Sequence, residues 1–230
     1  MKLALFDLDN TLLNGDSDVL WCDFLIGLNL LDRTEFAARN ADMESRYKAG
    51  TVEVAEFANF YTSTLAGKTP EQWQPYREQF LDEWIAPRIS EAAHDLVKKH
   101  QDAGDLVILT TATNRFITEL TANYLCIQNL IATELEVTNA IFTGKATGVL
   151  NMREGKPIRL NAWLASRTLR LEDFESTAYS DSINDLPLLR CANQAVAVNP
   201  DSRLKEIANS SGWSVIYLYF PRNVSNSYLI

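Results

Sequence analysis

The chain has 230 residues, of which 47% are hydrophobic and 22% are charged, a balance that is ordinary for a folded globular protein and argues against disorder. Its net charge of −9 argues against nucleic acid or an anionic membrane as a partner, because both require a basic surface. The three cysteines lack the spacing of a zinc site or a disulfide framework. The N-terminal apolar run is too short for a signal peptide or a membrane span. Together these features predict a cytoplasmic protein.

The first part of the chain is predicted to be one strand followed by helices. The apolar run at residues 3–8 predicts a buried strand. Residues 14–86 then show helical patterns only, among them a helix that stops at Gly50 and another that is capped by Thr69. Pro87 ends this run, so a block of helices is inserted directly after the first strand.

The rest of the chain alternates between helices and strands. Helices are predicted near residues 90–104, 115–125, 157–169, 184–191 and 202–210, strands near 106–109, 177–180, 195–198 and 214–219, and a hairpin around 142–144. This alternation predicts an α/β protein with a doubly wound parallel sheet, a Rossmann-like three-layer α/β/α arrangement. We therefore expect a catalytic core of residues 1–13 and 87–230 and a helical cap of residues 14–86, with no assignment for residues 220–230.

Two acids stand at the end of the first strand. Asp7 and Asp9 are separated by one residue and followed by Thr11. Because side chains alternate along a strand, both carboxylates are expected on the same side, where they repel each other unless a cation lies between them or one carries a proton. The alternative interpretation is an ordinary turn, because Asp and Asn are common after strands.

Other predicted strands end in groups that complement two acids. The strand that ends at residue 109 is followed by Thr110 and Thr111, whose hydroxyl and N–H groups suit phosphate oxygens. Two more carboxylates, Asp181 and Asp185, follow the strand at 177–180, and Lys156 opens a helix. In a doubly wound sheet these strand ends meet at one edge. Four acids, a hydroxyl and a lysine there favour phosphoryl transfer.

The order and spacing of these residues resemble the four motifs of the haloacid dehalogenase-like phosphohydrolases: Asp7, Asp9 and Thr11; Thr110; Lys156; and Asp181, Ser182 and Asp185. The resemblance extends from residue 3 to about residue 217, and Ser180 stands where the family pattern usually has glycine. The inserted helices look like the cap of the branch that contains phosphoserine phosphatases. Each motif alone is weak, but four in order are specific.

The resemblance implies a role for each motif residue. Asp7 would attack phosphorus, and Asp9 would protonate the leaving oxygen and later deprotonate water. Thr110 and Lys156 would hold the phosphoryl oxygens. Mg²⁺ would be bound by Asp7, the backbone carbonyl of Asp9, Asp181 and Asp185.

The cap residues lead to a prediction about the substrate. In phosphoserine phosphatases a carboxylate just after the first motif binds the substrate amine, and Asp16 has that position here. Tyr61 falls where those enzymes have an arginine for the substrate carboxylate, so phosphoserine is disfavoured. The segment also resembles a bacterial group taken to be histidinol-phosphate phosphatases, through Gly15 to Asp18 and the pair Arg39 and Asn40.

Histidinol phosphate carries an amine and an imidazole but no carboxylate. Trp21, Tyr47 or Tyr61 could stack against the imidazole, although for any one of them packing within the cap is the favoured interpretation. Thr111, Asp16 and these three aromatic residues are the predicted substrate contacts.

Several alternatives remain open from the sequence. The chain could be a phosphoserine phosphatase, a broad-range phosphatase for sugar phosphates or nucleotides, a phosphomutase, or a catalytically inactive interaction module on the same fold. The complete set of motif residues argues against the last of these. The expected partner is a small phosphorylated metabolite, and the sequence does not indicate an oligomeric state.

Overall fold

The first strand lies at the centre of the structure, a computed structural model that describes residues 1–219. In β1, Lys2–Phe6, Leu3 and Leu5 face one layer of the core while Ala4 and Phe6 face the other. All four side chains are buried. Such a strand must be covered on both faces, which is the reason for its continuous apolar run.

Seven strands form one sheet in the order β4, β3, β2, β1, β5, β6, β7. The other strands are β2 (Leu106–Asn114), β3 (Asn129–Thr138), β4 (Ile141–Thr147), β5 (Glu175–Ser180), β6 (Gln194–Val198) and β7 (Ser214–Ile216). Every pair is parallel except β3 with β4. The parallel strands β2, β1 and β5 are adjacent, so their carboxyl ends meet at the middle of one sheet edge.

Nine helices surround the sheet within residues 1–219: α1 (Ser17–Gly27), α2 (Arg33–Ala49), α3 (Val54–Ser63), α4 (Pro70–Phe80), α5 (Glu91–Asp102), α6 (Arg115–Tyr124), α7 (Gly155–Ala165), α8 (Leu186–Cys191) and α9 (Ser202–Ser211). Short π and 3₁₀ turns occupy Leu81–Ile85, Ala86–Arg88, Leu171–Asp173 and Ile183–Asp185. Helices α5 and α6 pack on one sheet face and α7, α8 and α9 on the other. The predicted three-layer α/β fold is therefore confirmed.

Local signals located the ends of the helices between β1 and α5. Gly50 has the left-handed φ of +73° that closes a helix, and its N–H donates to the carbonyls of Arg46 and Tyr47. Thr69 and Gln72 form the expected capping box. We call α1 to α4 the cap helices. The division into cap and core remains a prediction, and residues 220–230 of that core lie outside the described residues.

The strand prediction missed the part of β3 in the main sheet and ended β2 too early, both on the same side of the sheet. The predicted hairpin around residues 142–144 is present as β3 and β4, but its turn is at Asn139 and Ala140, and β3 also continues into the main sheet beside β2. Glu134 and Glu136 alternate with Leu135 and Val137 and make this segment look like a surface strand. The predicted end of β2 at residue 109 was also too early, because the strand extends to Asn114 with an irregular register.

Two further observations concern the whole described chain. Within residues 1–219, no helix combines the length and apolar character needed to cross a membrane. The three cysteines, Cys22, Cys126 and Cys191, are all free.

Candidate functional site

Asp7 follows β1 directly and lies at the centre of the sheet edge. Its N–H donates to the carbonyl of Tyr179 at 3.0 Å, which continues the pairing of β1 with β5. The chain then turns sharply, because the Leu8 carbonyl accepts hydrogen bonds from Thr11, Leu12 and Leu13. This turn brings Thr11 back beside Asp7 and keeps the acids of the first motif on the edge.

Lys156 joins Asp7 to Asp185. Its Nζ lies 2.6 Å from Asp7 Oδ1 and 2.6 Å from Asp185 Oδ2, and the lysine is buried. Burial opposes the charged form of the lysine, but Asp185 and Asp7 outweigh it and raise the pKa of Lys156. Gly155 is required at the helix start, because a Cβ there would lie 1.9 Å from the Leu150 carbonyl oxygen.

Asp7 is a carboxyl group with a strongly altered proton affinity. Burial raises the pKa of Asp7 to about 7, Lys156 lowers it in part, and the charges of Asp185 and Asp9 raise it again. Asp185 has a further donor, because the Ser180 hydroxyl lies 2.8 Å from its Oδ2. The serine that stands in place of the usual glycine therefore helps to hold an acid of the site.

Thr11 connects the first and last motifs. Its hydroxyl oxygen lies 3.0 Å from Asp7 Oδ2 and 3.1 Å from Asp181 Oδ1, and it accepts the Asp181 N–H. One hydroxyl proton serves only one of the two carboxylates at a time. Burial raises the pKa of Asp181 well above its usual range, and the charges of Asp7 and Asp185 add to that effect.

This pair of carboxylates fits a magnesium ion. In residues 1–219, no three Asp, Glu, His or Cys side chains are already arranged as a metal site. Magnesium does not need three, because it commonly takes one or two carboxylates and completes its shell with water and substrate phosphate. Asp7 Oδ2 and Asp181 Oδ1 share the single hydroxyl proton of Thr11, and the two carboxylates repel each other, so a divalent cation between them would be stabilising.

Asp9 is held by three donors. It accepts the Ser17 N–H at 2.7 Å, the Thr113 hydroxyl at 3.1 Å and the Thr111 hydroxyl at 3.3 Å. Burial raises the pKa of Asp9, while the hydrogen bonds from Ser17 and Thr113 lower it. A raised pKa favours the protonated form that a general acid needs. The Thr111 hydroxyl, predicted to bind substrate, is engaged with Asp9 instead.

Thr110 is positioned by an asparagine that the sequence analysis missed. The Asn151 amide donates to the Thr110 hydroxyl oxygen at 3.0 Å and to the carbonyls of Thr111 and Ile131. Within the described chain the Thr110 proton has no acceptor, so it remains able to donate to a phosphate oxygen. No motif marks Asn151, because it lies after an irregular loop and becomes important only through the fold.

Asp16 lies at the entrance to α1, close to Asp9. Its carboxylate caps the helix by accepting the N–H groups of Asp18 and Val19. Burial raises the pKa of Asp16 to about 8, and the charges of Asp9 and Glu44 contribute. Asp16 therefore has a structural role as a cap, and it also brings a buried acid near Asp9.

Of the three predicted aromatic contacts, Tyr47 lies nearest to the acids. Burial raises the pKa of Tyr47 well above its usual range, and Asp185, Asp7, Asp181 and Asp16 all add to that effect. The Tyr47 hydroxyl therefore lies within the electrostatic influence of four acids of the site. Its ring stacks on Phe57 at 4.8 Å between centroids, which fixes its orientation.

Trp21 and Tyr61 are packed in the protein interior, which corrects the prediction for these two residues. Trp21 is fully buried against Phe24, Trp73 and Phe80, and its indole N–H donates to Thr64. Tyr61 is 1% exposed, and its hydroxyl donates to Asn40 at 3.0 Å. Neither ring has a free face for an imidazole, and the alternative interpretation of packing within the cap is the one observed.

The cap helices close over the acids. Asn184, in the loop between Asp181 and Asp185, donates to the Tyr47 carbonyl at 3.1 Å. Arg153 and Arg203 donate to carbonyls within residues 48–52, at the end of α2. Asp7 is only 5% exposed in this arrangement. The end of α2 is therefore held against the loops beside the acids.

The cavity between α2 and α3 does not mark this site. It has a volume of about 590 Å³ and is lined by Arg39, Asp42 and Phe60, among others. None of the predicted catalytic acids lines it. The buried charges, and not an open cleft, identify the candidate site.

Comparisons with known proteins show the family of the chain. The family model of haloacid dehalogenase-like hydrolases matches residues 4–190. A histidinol-phosphatase of Neisseria meningitidis serogroup C is 41% identical over 217 residues, which cover 94% of this chain and 98% of the relative. A phosphoserine phosphatase of Mycobacterium tuberculosis is 32% identical over 220 residues, covering 92% of this chain and 69% of that protein.

Solved structures agree on the fold. A protein of unknown function from Bordetella pertussis superposes with a TM-score of 0.90 at 43% identity, covering 95% of this chain and 99% of the other. A substrate-bound phosphoserine phosphatase superposes with a TM-score of 0.67 at 18% identity over 95% of this chain and 93% of its own. At that identity the second match concerns the fold alone.

Proposed function

The chain belongs to the haloacid dehalogenase-like hydrolases and is a phosphatase, and from this premise we propose that it hydrolyses histidinol phosphate with Mg²⁺ through a phosphorylated Asp7. The observation that carries the proposed chemistry is the buried ion-paired group of Asp7, Lys156 and Asp185, linked to Asp181 through Thr11. Buried acids around one lysine are costly to a fold, and they are arranged as phosphoryl transfer requires.

In the proposed reaction Asp7 attacks phosphorus while Asp9 gives its proton to the leaving oxygen. Asp9 then accepts a proton from the water that attacks the phosphorylated Asp7. Lys156 and Thr110 hold phosphoryl oxygens through their N–H and O–H groups. Bound to Asp7, Asp181 and the Asp9 carbonyl, with Asp185 direct or through water, Mg²⁺ would neutralise charge on the phosphoryl oxygens.

The acidic surroundings of the site support an amine substrate. Asp16 has no Lys, Arg or His partner within 4.0 Å among residues 1–219, so the group beside it must be cationic or must donate hydrogen bonds. Arg39 and Arg46, two arginines of α2, are already paired with Glu35 and Glu56. A substrate carboxylate would have to displace a glutamate to bind either of them.

Histidinol phosphate fits this acidic site because it has an amine and no carboxylate. The Neisseria relative, which carries the name histidinol-phosphatase and matches over nearly its whole length, supports the same substrate. Phosphoserine is the second candidate, and the Mycobacterium relative supports it. Its carboxylate makes it the poorer fit to a site lined by acids.

The test is phosphate release from histidinol phosphate, phosphoserine, a sugar phosphate and a nucleoside monophosphate. With Mg²⁺ we expect kcat/KM for histidinol phosphate to exceed the others by about 100-fold or more, and chelation of the metal to remove the activity. A flat profile would reject the proposed substrate. Activity that survives the chelator would reject the proposed metal dependence.

Asp16→Asn tests the amine contact. Asparagine is as good a helix cap as aspartate, so the variant removes the charge and keeps the start of α1. We expect the ratio of kcat/KM for histidinol phosphate to that for p-nitrophenyl phosphate to fall about 30-fold. Equal losses on both substrates would remove Asp16 from substrate recognition.

A further inference from the structure

Asp18 is a buried acid that the proposed reaction leaves without a role. It lies in the first turn of α1 and is 3% exposed. Its Oδ1 is buried and has no hydrogen-bond partner among the described residues, and no Lys, Arg or His lies within 4.0 Å. An unpaired oxygen of a buried carboxylate is expensive, so this position requires an explanation.

Capping of the helix does not provide that explanation. The N–H groups at the start of α1 are already taken by Asp16, which accepts those of Asp18 and Val19. The Thr113 hydroxyl, whose hydrogen bond would lower the pKa of Asp18, donates to Asp9 at 3.1 Å. Asp18 therefore stabilises no backbone group that its neighbour has not already satisfied.

Asp18 also shares its surroundings with two acids of the candidate site. The charges of Asp16 and Asp9 both raise its pKa, after the larger effect of burial. Asp16 lies two residues before Asp18 and accepts its N–H, and Asp9 accepts the N–H of Ser17 between them. Three carboxylates are thus close together, and among residues 1–219 no Lys, Arg or His nitrogen lies within 4.0 Å of their oxygens.

We propose that Asp18 is a specificity-determining residue whose free Oδ1 accepts a second N–H group of the substrate, while Asp16 accepts the first. This inference rests on the proposed function and deepens it. The site then selects phosphomonoesters with two separate nitrogen-bearing groups, such as an amine and an imidazole, over those with an amine alone. The second N–H group pairs with a buried oxygen of Asp18 that otherwise remains unsatisfied.

The test uses two amino alcohols as competitive inhibitors of p-nitrophenyl phosphate hydrolysis. Histidinol has an amine and an imidazole, and leucinol has the same amino alcohol with an apolar side chain. The wild-type enzyme is expected to bind histidinol more tightly. Asp18→Asn is expected to raise the inhibition constant of histidinol about 30-fold and to change that of leucinol less than about threefold. Asp16→Asn is expected to weaken both inhibitors.

Thermal unfolding separates this role from a structural one. Asp18→Asn preserves size and removes a charge from a cluster of acids, so the melting temperature is expected to stay the same or to rise. A clear fall in the melting temperature would indicate a structural role and overturn the proposal.

The inhibitor outcomes are also distinct from the failure of the proposed substrate. Equal binding of the two amino alcohols to the wild type, or equal weakening of both by Asp18→Asn, would overturn the role of Asp18. Turnover of histidinol phosphate is measured separately on the wild-type enzyme. It therefore tests the proposed function independently of the inhibitor result.

Discussion

Replacement of Asp7 by asparagine is expected to lower kcat by about 10,000-fold or more, because the variant loses the nucleophile and retains the shape of the site. An asparagine oxygen can still accept one hydrogen bond from Lys156 or Thr11, so part of the hydrogen bonding at this position is retained. The measurement is the single-turnover rate of phosphate release with histidinol phosphate and Mg²⁺.

Asp102→Asn is the matched control for this substitution. Asp102 lies on the exposed face of α5, where it pairs with Lys98 one helical turn away. The same chemical change there is expected to leave kcat within about twofold, because exposed pairs contribute little. Near-normal activity of Asp7→Asn would eliminate Asp7 as the nucleophile.

Lys156→Met is expected to damage both activity and stability. Methionine fills a similar volume, but Asp7 and Asp185 then lie buried without a cation. We expect kcat/KM to fall about 1,000-fold and the free energy of unfolding to fall by about 3–5 kcal/mol at pH 8. The measurements are the kinetics and urea unfolding of the metal-free protein.

The stability loss of Lys156→Met should depend on pH in a defined direction. The pKa of Asp7 is already raised to about 7, and removal of the lysine, which lowers it, raises it further. A carboxyl with a raised pKa stabilises the fold below its unfolded pKa, and this contribution is lost as the pH rises through the folded pKa. The difference from wild type is therefore expected to be smaller at pH 5 than at pH 8.

A matched substitution separates burial from charge in that experiment. Lys98→Met removes a lysine whose side chain is 68% exposed, and its effect should stay within about 0.5 kcal/mol at both pH values. A Lys156→Met protein as stable as wild type at pH 8 would contradict the claim that the ion pairs of Lys156 with Asp7 and Asp185 stabilise the fold.

Local chemistry explains why much of the architecture was predictable. Gly50 and Thr69 act through hydrogen bonds to neighbours in sequence, so their patterns could be recognised without knowledge of the fold. The acids after β1 and β5 were recognisable because parallel strands place their carboxyl ends together. The family resemblance was stronger than any single motif because it depended on their order.

Residues that depend on tertiary contact were not predictable in the same way. Trp21 and Tyr61 were placed near the substrate because spacing cannot show which side of a helix faces a neighbouring helix. Asn151 and Thr113 acquire partners only when distant segments meet. The strand β3 was missed because its charged half resembles a surface strand, although its first half joins the parallel sheet.

The central claim is that the phosphoryl group is transferred to Asp7 before water releases it. The most direct measurement is the pre-steady-state burst of nitrophenolate formed by the Asp9→Asn variant. An aryl phosphate such as p-nitrophenyl phosphate has a good leaving group and needs no acid for the first step, whereas the second step still needs Asp9 as a base. We expect one equivalent of nitrophenolate per protein, then a stall, with one phosphate on the peptide that contains Asp7. Steady release without a burst, or phosphate on another residue, would contradict the account.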